Sequence, residues 1–417
     1  MESLTDKLRA LGVKKGIGNL IAPPAKKKKS IHEIISGDYL DTRYGKVFVH
    51  TDKFPANYLQ GNMLLSTVIQ SRYISKWAKT PLLDDKSSRE LIFLDTETTS
   101  LSSGTGTFVF LTGIGNQSQD GFEVRQFFLE SPVDEPAFLE AIIQDVSRYT
   151  GVVTFNGKAF DIPMLNTRFA LNNSISPFKA ISHIDLLPLA RRLWKYRLSR
   201  RNLSTLENEI IGVKRTEEEI PGWMIPEMYI DFLRSQDPTP LRGVFYHNSY
   251  DILSLAALYF HLSDLMENLS ISKMDESLDL MALGKLFKDL NDYEKAIMLF
   301  ENSILKGLPH EFYLSTLNEY AQIHKKDGRI DSAVSLWKKA EAYHDIFAAE
   351  ELAKYYEHQK KDLESAKEIV KRTLENINLT NFSGSKKRIW TTKFKARLER
   401  LEEKIRLTQR KKTAAHT

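Results

Sequence analysis

The sequence predicts an α/β sheet domain followed by an all-α region. Three observations support this reading. Between Glu90 and Met266, short apolar runs alternate with stretches of helical spacing, the pattern of strands joined by crossing helices. From about Asp275 onward only helical spacing remains. Within that second part Ala296, Ala333 and Ala366 recur at intervals of 37 and 33 residues. This is close to the roughly 34-residue period of tetratricopeptide repeats, where small residues let paired helices approach.

In chain order, a basic arm with two prolines runs to Lys29. Gly45–His50 reads as a short strand after a turn and Leu64–Trp77 as a helix. After the polar break at Lys86–Arg89, four strands are expected at Leu91–Leu94, Phe108–Ile114, Phe122–Leu129 and Val152–Phe155. Helical spacing covers Glu135–Tyr149 and about Ile162–Leu171. Ser204-Thr-Leu-Glu207 has the form of a capping box opening a helix that stops at Gly212. Asn248–Met266 reads as a long amphipathic helix and Lys386–Lys412 as a long basic one. The expected division is an arm at 1–29, an extension of the sheet domain at 30–88 and the sheet domain itself at 89–268. Helical repeats follow at 275–380, then a basic helix and tail at 385–417. A generic alanine-rich bundle is the competing description of the repeats.

The chain has 417 residues, of which 42% are hydrophobic and 27% charged, a balance that permits sizeable cores in two or three domains. The absence of cysteine excludes disulfides, zinc fingers and thiol catalysis, and it agrees with a reducing cytoplasm. No apolar run approaches the ~18 residues of a membrane-spanning helix, and the basic N-terminus lacks an apolar signal region. A cytoplasmic location and no membrane partner are therefore expected. The net charge of +5 is uneven: residues 1–30 carry +6, residues 386–417 carry +9, and the remainder −10. Basic ends of this kind can hold a phosphate backbone or simply remain solvated.

The chemistry is carried by carboxylates. Asp95 and Glu97 close a strongly apolar strand, and residues two apart on a strand face the same side. Two such carboxylates repel one another, a conflict that a bound divalent cation removes. Other Asp-x-Glu triplets, at Asp292–Glu294 and Asp362–Glu364, lie at helix turns and lack this setting. Asp161 follows a strand and an Asn156-Gly157 turn, where it acts either as a helix N-cap or as a ligand. Asp251 sits on an apolar helical face with Leu255 and Leu258, an expensive place for an acid unless it is paired or metal-bound.

Taken in order, these residues resemble the three motifs of the DEDD (DnaQ-like) exonuclease superfamily. The similarity is closest to the bacterial YprB-like proteins, which have an RNase H-like core. It covers about residues 30–265 and includes Gly104-Thr-Gly-Thr-Phe108, Phe155-Asn-Gly, His183-Ile-Asp185, Ile220-Pro-Gly222 and Ile225-Pro226. The resemblance implies an RNase H-like mixed sheet flanked by helices and two-metal catalysis with Mg²⁺ or Mn²⁺ ions roughly 4 Å apart. It implies that Asp95 bridges both ions, that Glu97 and Asp251 hold one, and that Asp161 holds the other. In the superfamily a Tyr stands four residues before the last Asp, or a His five before it. Here His247 is four before Asp251 and Tyr246 five before it. His247 is the expected general base, because an imidazole titrates near neutrality.

Asp185, Tyr246 and Asn156 are candidates for the surroundings of the site. For Asp185, pairing with Arg191 or Arg192 competes with service to the metals. Arg191, Arg192, Lys195, Arg197, Arg200 and Arg201 form a basic run that suits a nucleic-acid backbone or a solvated helix face. Phe108, Phe155, Phe160 and Tyr250 are aromatic neighbours that serve either as core or as stacking surfaces for bases. The expected activity is a 3′→5′ exonuclease on single-stranded DNA or RNA ends, with a protein partner for the repeats. The rival readings are a catalytically silent nucleic-acid-binding module, a repeat-based adaptor, and an endonuclease on structured nucleic acid.

Overall fold

The computed structural model describes residues 29–70, 72–100, 106–215, 220–269, 276–377 and 383–414. The arm up to residue 28 and Gly104 and Thr105 of the expected loop Gly104–Phe108 lie outside these ranges. A seven-stranded mixed sheet runs in the order β1-β2-β7-β6-β5-β8-β9. Its strands are β1 Asp38–Thr42, β2 Gly45–Pro55, β5 Leu91–Thr98, β6 Val109–Gln117, β7 Gly121–Phe128, β8 Gly151–Thr154 and β9 Ser182–Asp185, while β3 Leu59–Gln60 and β4 Met63–Leu64 pair separately. The strands from β1 to β5 pair antiparallel, and β5, β8 and β9 pair parallel. The extension at 30–88 therefore widens the sheet by two strands on the far side of β7.

Both faces of the sheet are covered at its centre, which is why β5 is apolar at every position from Leu91 to Leu94. Leu91 and Phe93 pack with Phe122, Val124 and Val153 on one face, under α4 (Leu186–Trp194) and most of α7 (Leu241–Glu267). Ile92 and Leu94 pack with Phe110, Ile114 and Phe127 on the other. That second face is closed by α2 (Glu135–Val146), α3 (Asp161–Leu171), α6 (Ile225–Ser235) and the first turns of α7.

Two local expectations are corrected. The helix expected from Leu64 begins only at α1, Arg72–Ala78. Before it the chain makes a turn at Leu65–Ser66 and then runs irregularly, because the buried Gln117 amide donates to the carbonyls of Leu65 and Thr67. Ser204 does not cap a helix. It lies within α5 (Leu203–Leu206), whose N-cap is Asn202. The chain then widens into a π turn at Glu207–Ile211, closed by Gly212 at φ +75°.

The C-terminal region is helical. Three antiparallel hairpins follow: α8 (Ser277–Asp289) with α9 (Tyr293–Leu305), α10 (His310–Lys326) with α11 (Ile330–Glu341), and α12 (Ile346–Tyr355) with α13 (Leu363–Asn376). Ala296, Ala333 and Ala366 each lie fully buried on the second helix of a pair. Asp292 and Asp362 cap their helices through the amides of Lys295 and Ser365, which accounts for the two uninformative Asp-x-Glu triplets. The basic helix α14 (Gly384–Ala414) turns much of its charge inward. Arg397, Arg400 and Lys404 converge on the buried Glu357, and Lys393 meets Glu350. The apolar core beneath α4 and α7 continues without a break into these hairpins.

Candidate active site

Strand parity places the first two carboxylates. Leu91, Phe93, Asp95 and Glu97 share one face of β5, the face that α7 crosses. Asp95 and Glu97 stand at the strand's C-terminal end, where the pairing with β6 shifts register between Glu97 and Thr98. α7 begins at Leu241, seven residues before the expected start. His247 is therefore a full turn before Asp251 on the same helix face, with Nε2 3.5 Å from Asp251 Oδ2. Tyr246 lies beside Tyr250, their ring centroids 5.4 Å apart.

Asn248, fully buried, fixes the approach of α7 to β5. Its Nδ2 donates to Asp95 Oδ2 at 2.9 Å. Its orientation is set by Gln126 Nε2, which donates to Asn248 Oδ1 at 2.9 Å and to the carbonyl of Phe245 at 2.8 Å. A Cβ on Gly113 would overlap both Asn248 Oδ1 and Ile252 Cδ1, so the close crossing requires glycine there.

Asp161 arrives from the opposite face. The N-cap of α3 is Phe160, and Asp161 is the first helical residue; its Oδ1 accepts from Thr96 Oγ1 at 2.5 Å. The turn that delivers it is shaped by Asp185, which accepts from the amides of Asn156 at 2.8 Å and Lys158 at 3.1 Å and also caps α4 through Leu187. Asn156 takes the left-handed conformation at φ +70°. Asp185 thus supports the loop, and Arg192 pairs with Asp289 instead.

The four carboxylates sense one another. Asp95 and Glu97 have pKa values well above the usual carboxylate range, first because protein surrounds them and then because Asp251 and Asp161 repel their charge. Asp161 is raised to about 6, chiefly by burial; the Thr96 hydrogen bond works against this and the charge of Asp185 adds to it. All four remain half-buried, so solvent reaches them. As hard oxygen donors crowded at a cost that a cation relieves, they suit Mg²⁺ or Mn²⁺. Among the described residues, no three His, Asp or Glu side chains converge on a single ligating point. Asp251 is drawn onto a guanidinium: Arg215 donates to its Oδ1 and is itself held by Glu207.

The basic run divides. Arg197 binds Asp279 and Arg192 binds Asp289, both on α8, and Arg201 donates to the carbonyls of Leu198 and Ser199. Arg191, Lys195 and Arg200 are exposed, with Lys195 against the Tyr196 ring. Of the aromatic neighbours, Phe155 and Tyr250 pack against the core, Phe108 lies under the Arg168 guanidinium, and Phe160 is 52% exposed. Sequence reasoning missed Arg215, Glu207, Asn248, Gln126 and Thr96. Gln126 alone gave a signal, as a polar residue within an apolar strand.

Residues 92–263, from β5 into α7, match the family model described as RNase_H superfamily. The fold and the match together define an RNase H superfamily domain followed by a helical region. A Bacillus subtilis (strain 168) protein named "Uncharacterized protein YprB" is 33% identical over 332 residues, covering 77% of this chain and 79% of its own. The chain belongs to the YprB family. A family B DNA polymerase from the hyperthermophilic archaeon Pyrobaculum calidifontis overlaps with a TM-score of 0.35 at 17% identity, over 50% of this chain and 28% of the polymerase. An overlap that low carries no functional argument. No helix among the described residues is long and apolar enough to cross a membrane.

Proposed function

We propose that this protein is a divalent-metal-dependent nuclease of the DEDD type, acting 3′→5′ on single-stranded nucleic acid ends. The observation that carries the reading is that Asp95 and Glu97, at the end of β5, lie within electrostatic reach of Asp161 and Asp251 in an RNase H superfamily domain. These side chains would hold Mg²⁺ or Mn²⁺. When bound, such ions supply a hydroxide-like nucleophile and neutralise charge on the leaving oxygen. His247, with Nε2 beside Asp251, orients the attacking water and accepts its proton. Asn248 steadies Asp95, and Thr96 steadies Asp161. The 3′→5′ polarity rests on the family resemblance alone. The hairpins of α8–α13 are read as tetratricopeptide-like repeats that present a surface to a protein partner.

The test is incubation of purified protein with end-labelled DNA and RNA in Mn²⁺, Mg²⁺ or EDTA, beside Asp95→Asn. Cleavage is expected with either ion, with mononucleotides released from the 3′ end. It should vanish in EDTA and in the variant, whose fold persists. Undiminished cleavage in EDTA would end the reading. Internal fragments instead of mononucleotides would favour an endonuclease, and binding without cleavage a silent module.

A further inference from the structure

We propose that Arg215 is a built-in counter-cation of the carboxylate site, competing with divalent cations for Asp251 and so setting how tightly they are held. The inference rests on reading the four carboxylates as a metal centre. Gly212 turns the chain back after the π turn, and the amide of Val213 donates to the carbonyl of Glu207 at 2.8 Å. Arg215 is thereby brought over Glu207. Its Nε donates to Glu207 Oε2 at 2.7 Å and its Nη2 to Oε1 at 2.6 Å, a two-point fork. The Glu207 side chain is 1% exposed and that of Arg215 10%. The Tyr250 ring centroid lies 5.5 Å from the guanidinium carbon.

The same Nη2 donates to Asp251 Oδ1, while Asp251 Oδ2 faces His247. The guanidinium is therefore shared between a carboxylate sealed in the fold and one facing the site. Asp251 is also the charge that most strongly repels Asp95 and Glu97, so whatever neutralises Asp251 bears on the whole cluster. A divalent ion approaching Asp251 Oδ1 meets a fixed positive charge that hydrogen-bonds the same oxygen. At such separations like charges repel strongly even at intermediate dielectric. Affinity then reflects the difference between the incoming ion and the resident guanidinium.

The decisive measurement is calorimetric titration of the full chain with Mn²⁺. Arg215→Gln alone would strand the buried Glu207 charge, so the variant of choice is E207Q/R215Q, which removes both charges together and allows an amide pair. Its Mn²⁺ affinity should rise on the order of tenfold, and the gain should disappear when Asp251→Asn is added to both backgrounds. Arg215→Lys should fall in between, because an ammonium lacks the fork that reaches both carboxylates. If E207Q/R215Q does not fold, Arg215→Lys decides by the same criterion. Equal or weaker binding by the deciding variant overturns the proposal while leaving the metal centre intact. Absence of binding in every protein overturns the metal centre and this proposal with it.

Discussion

Asp161 gives the crowding at the site a measurable consequence. Its pKa rises to about 6 in the folded chain, mainly through burial, against about 3.9 for an unfolded Asp. Between these values the folded protein keeps a proton that the unfolded chain has released, so stability falls as pH rises through that window. In metal-free buffer the melting temperature should climb by a few degrees from pH 6.5 to 4.5. Asp161→Asn should flatten part of that slope, with Asp95 and Glu97 supplying the rest in the same direction. A slope unchanged in the variant would exclude Asp161 as a source. His247 makes a kinetic claim at the same scale: His247→Ala should lower turnover by roughly 10²–10⁴-fold with little loss of substrate binding, and Tyr246→Phe should change little. The reverse pattern would move the base to Tyr246. Strand and helix periods act on neighbours in sequence, so they set Asp95 beside Glu97 and His247 one turn before Asp251, whereas the addition of Asp161 to the set is implied by the resemblance. The roles of Arg215 and Glu207 give no such signal, since each acquires its role from a partner that only folding supplies.

Among the elements, α7 carries the greatest burden, because it joins both cores and presents His247, Asn248 and Asp251 together. Its position depends on Gly113 of β6, where a side chain would overlap Asn248 and Ile252. Gly113→Ala should push α7 outward, destabilise the fold by about 1–3 kcal/mol, and reduce cleavage ~10²-fold or more by misplacing Asp251 relative to Asp95. Thermal melts and single-turnover kinetics would measure both effects; near-normal turnover would show that the crossing tolerates a shift. Strands β2, β5, β6, β7 and β8 were readable from their apolar runs, but β1, β3, β4, β9 and the course of Leu64–Trp77 were not. Its helical spacing is real, yet Gln117 holds its first half out of the helix, a tertiary override of local preference. The start of α7 was misplaced for a related reason. Leu241, Val244 and Phe245 have helical spacing but face the second core, so they do not continue the apolar stripe of the residues after them.

At the scale of the whole molecule, the sheet domain and the helical region are not independent bodies. Tyr73 packs edge-on to Phe287 at 5.1 Å and donates from its hydroxyl to Asp292 at 2.6 Å. Arg192 on α4 and Arg197 just beyond it are tied to α8 through Asp289 and Asp279. Two of the six cations that the sequence offers as a basic nucleic-acid clamp are thus spent on holding α8. The passage from a sheet region to a helical one was legible as a change in periodicity, but the shared core was not, because composition does not reveal which apolar faces meet. The consequence concerns truncation. Ending the chain at residue 269 would bare the surfaces of α1, α4 and α7 that the first hairpin covers, a contiguous apolar patch of the kind that drives aggregation. Ending it at Lys306 keeps α8 and α9 and their ion pairs, and exposes mainly the outer side of α9. The 306-residue protein should stay soluble, melt cooperatively at a lower temperature than the full chain, and retain metal-dependent cleavage. The 269-residue protein should aggregate. Size-exclusion chromatography and thermal melts of the two would decide it: a monomeric, cooperatively melting 269-residue protein would show that the hairpins are an appendage and not part of the catalytic core.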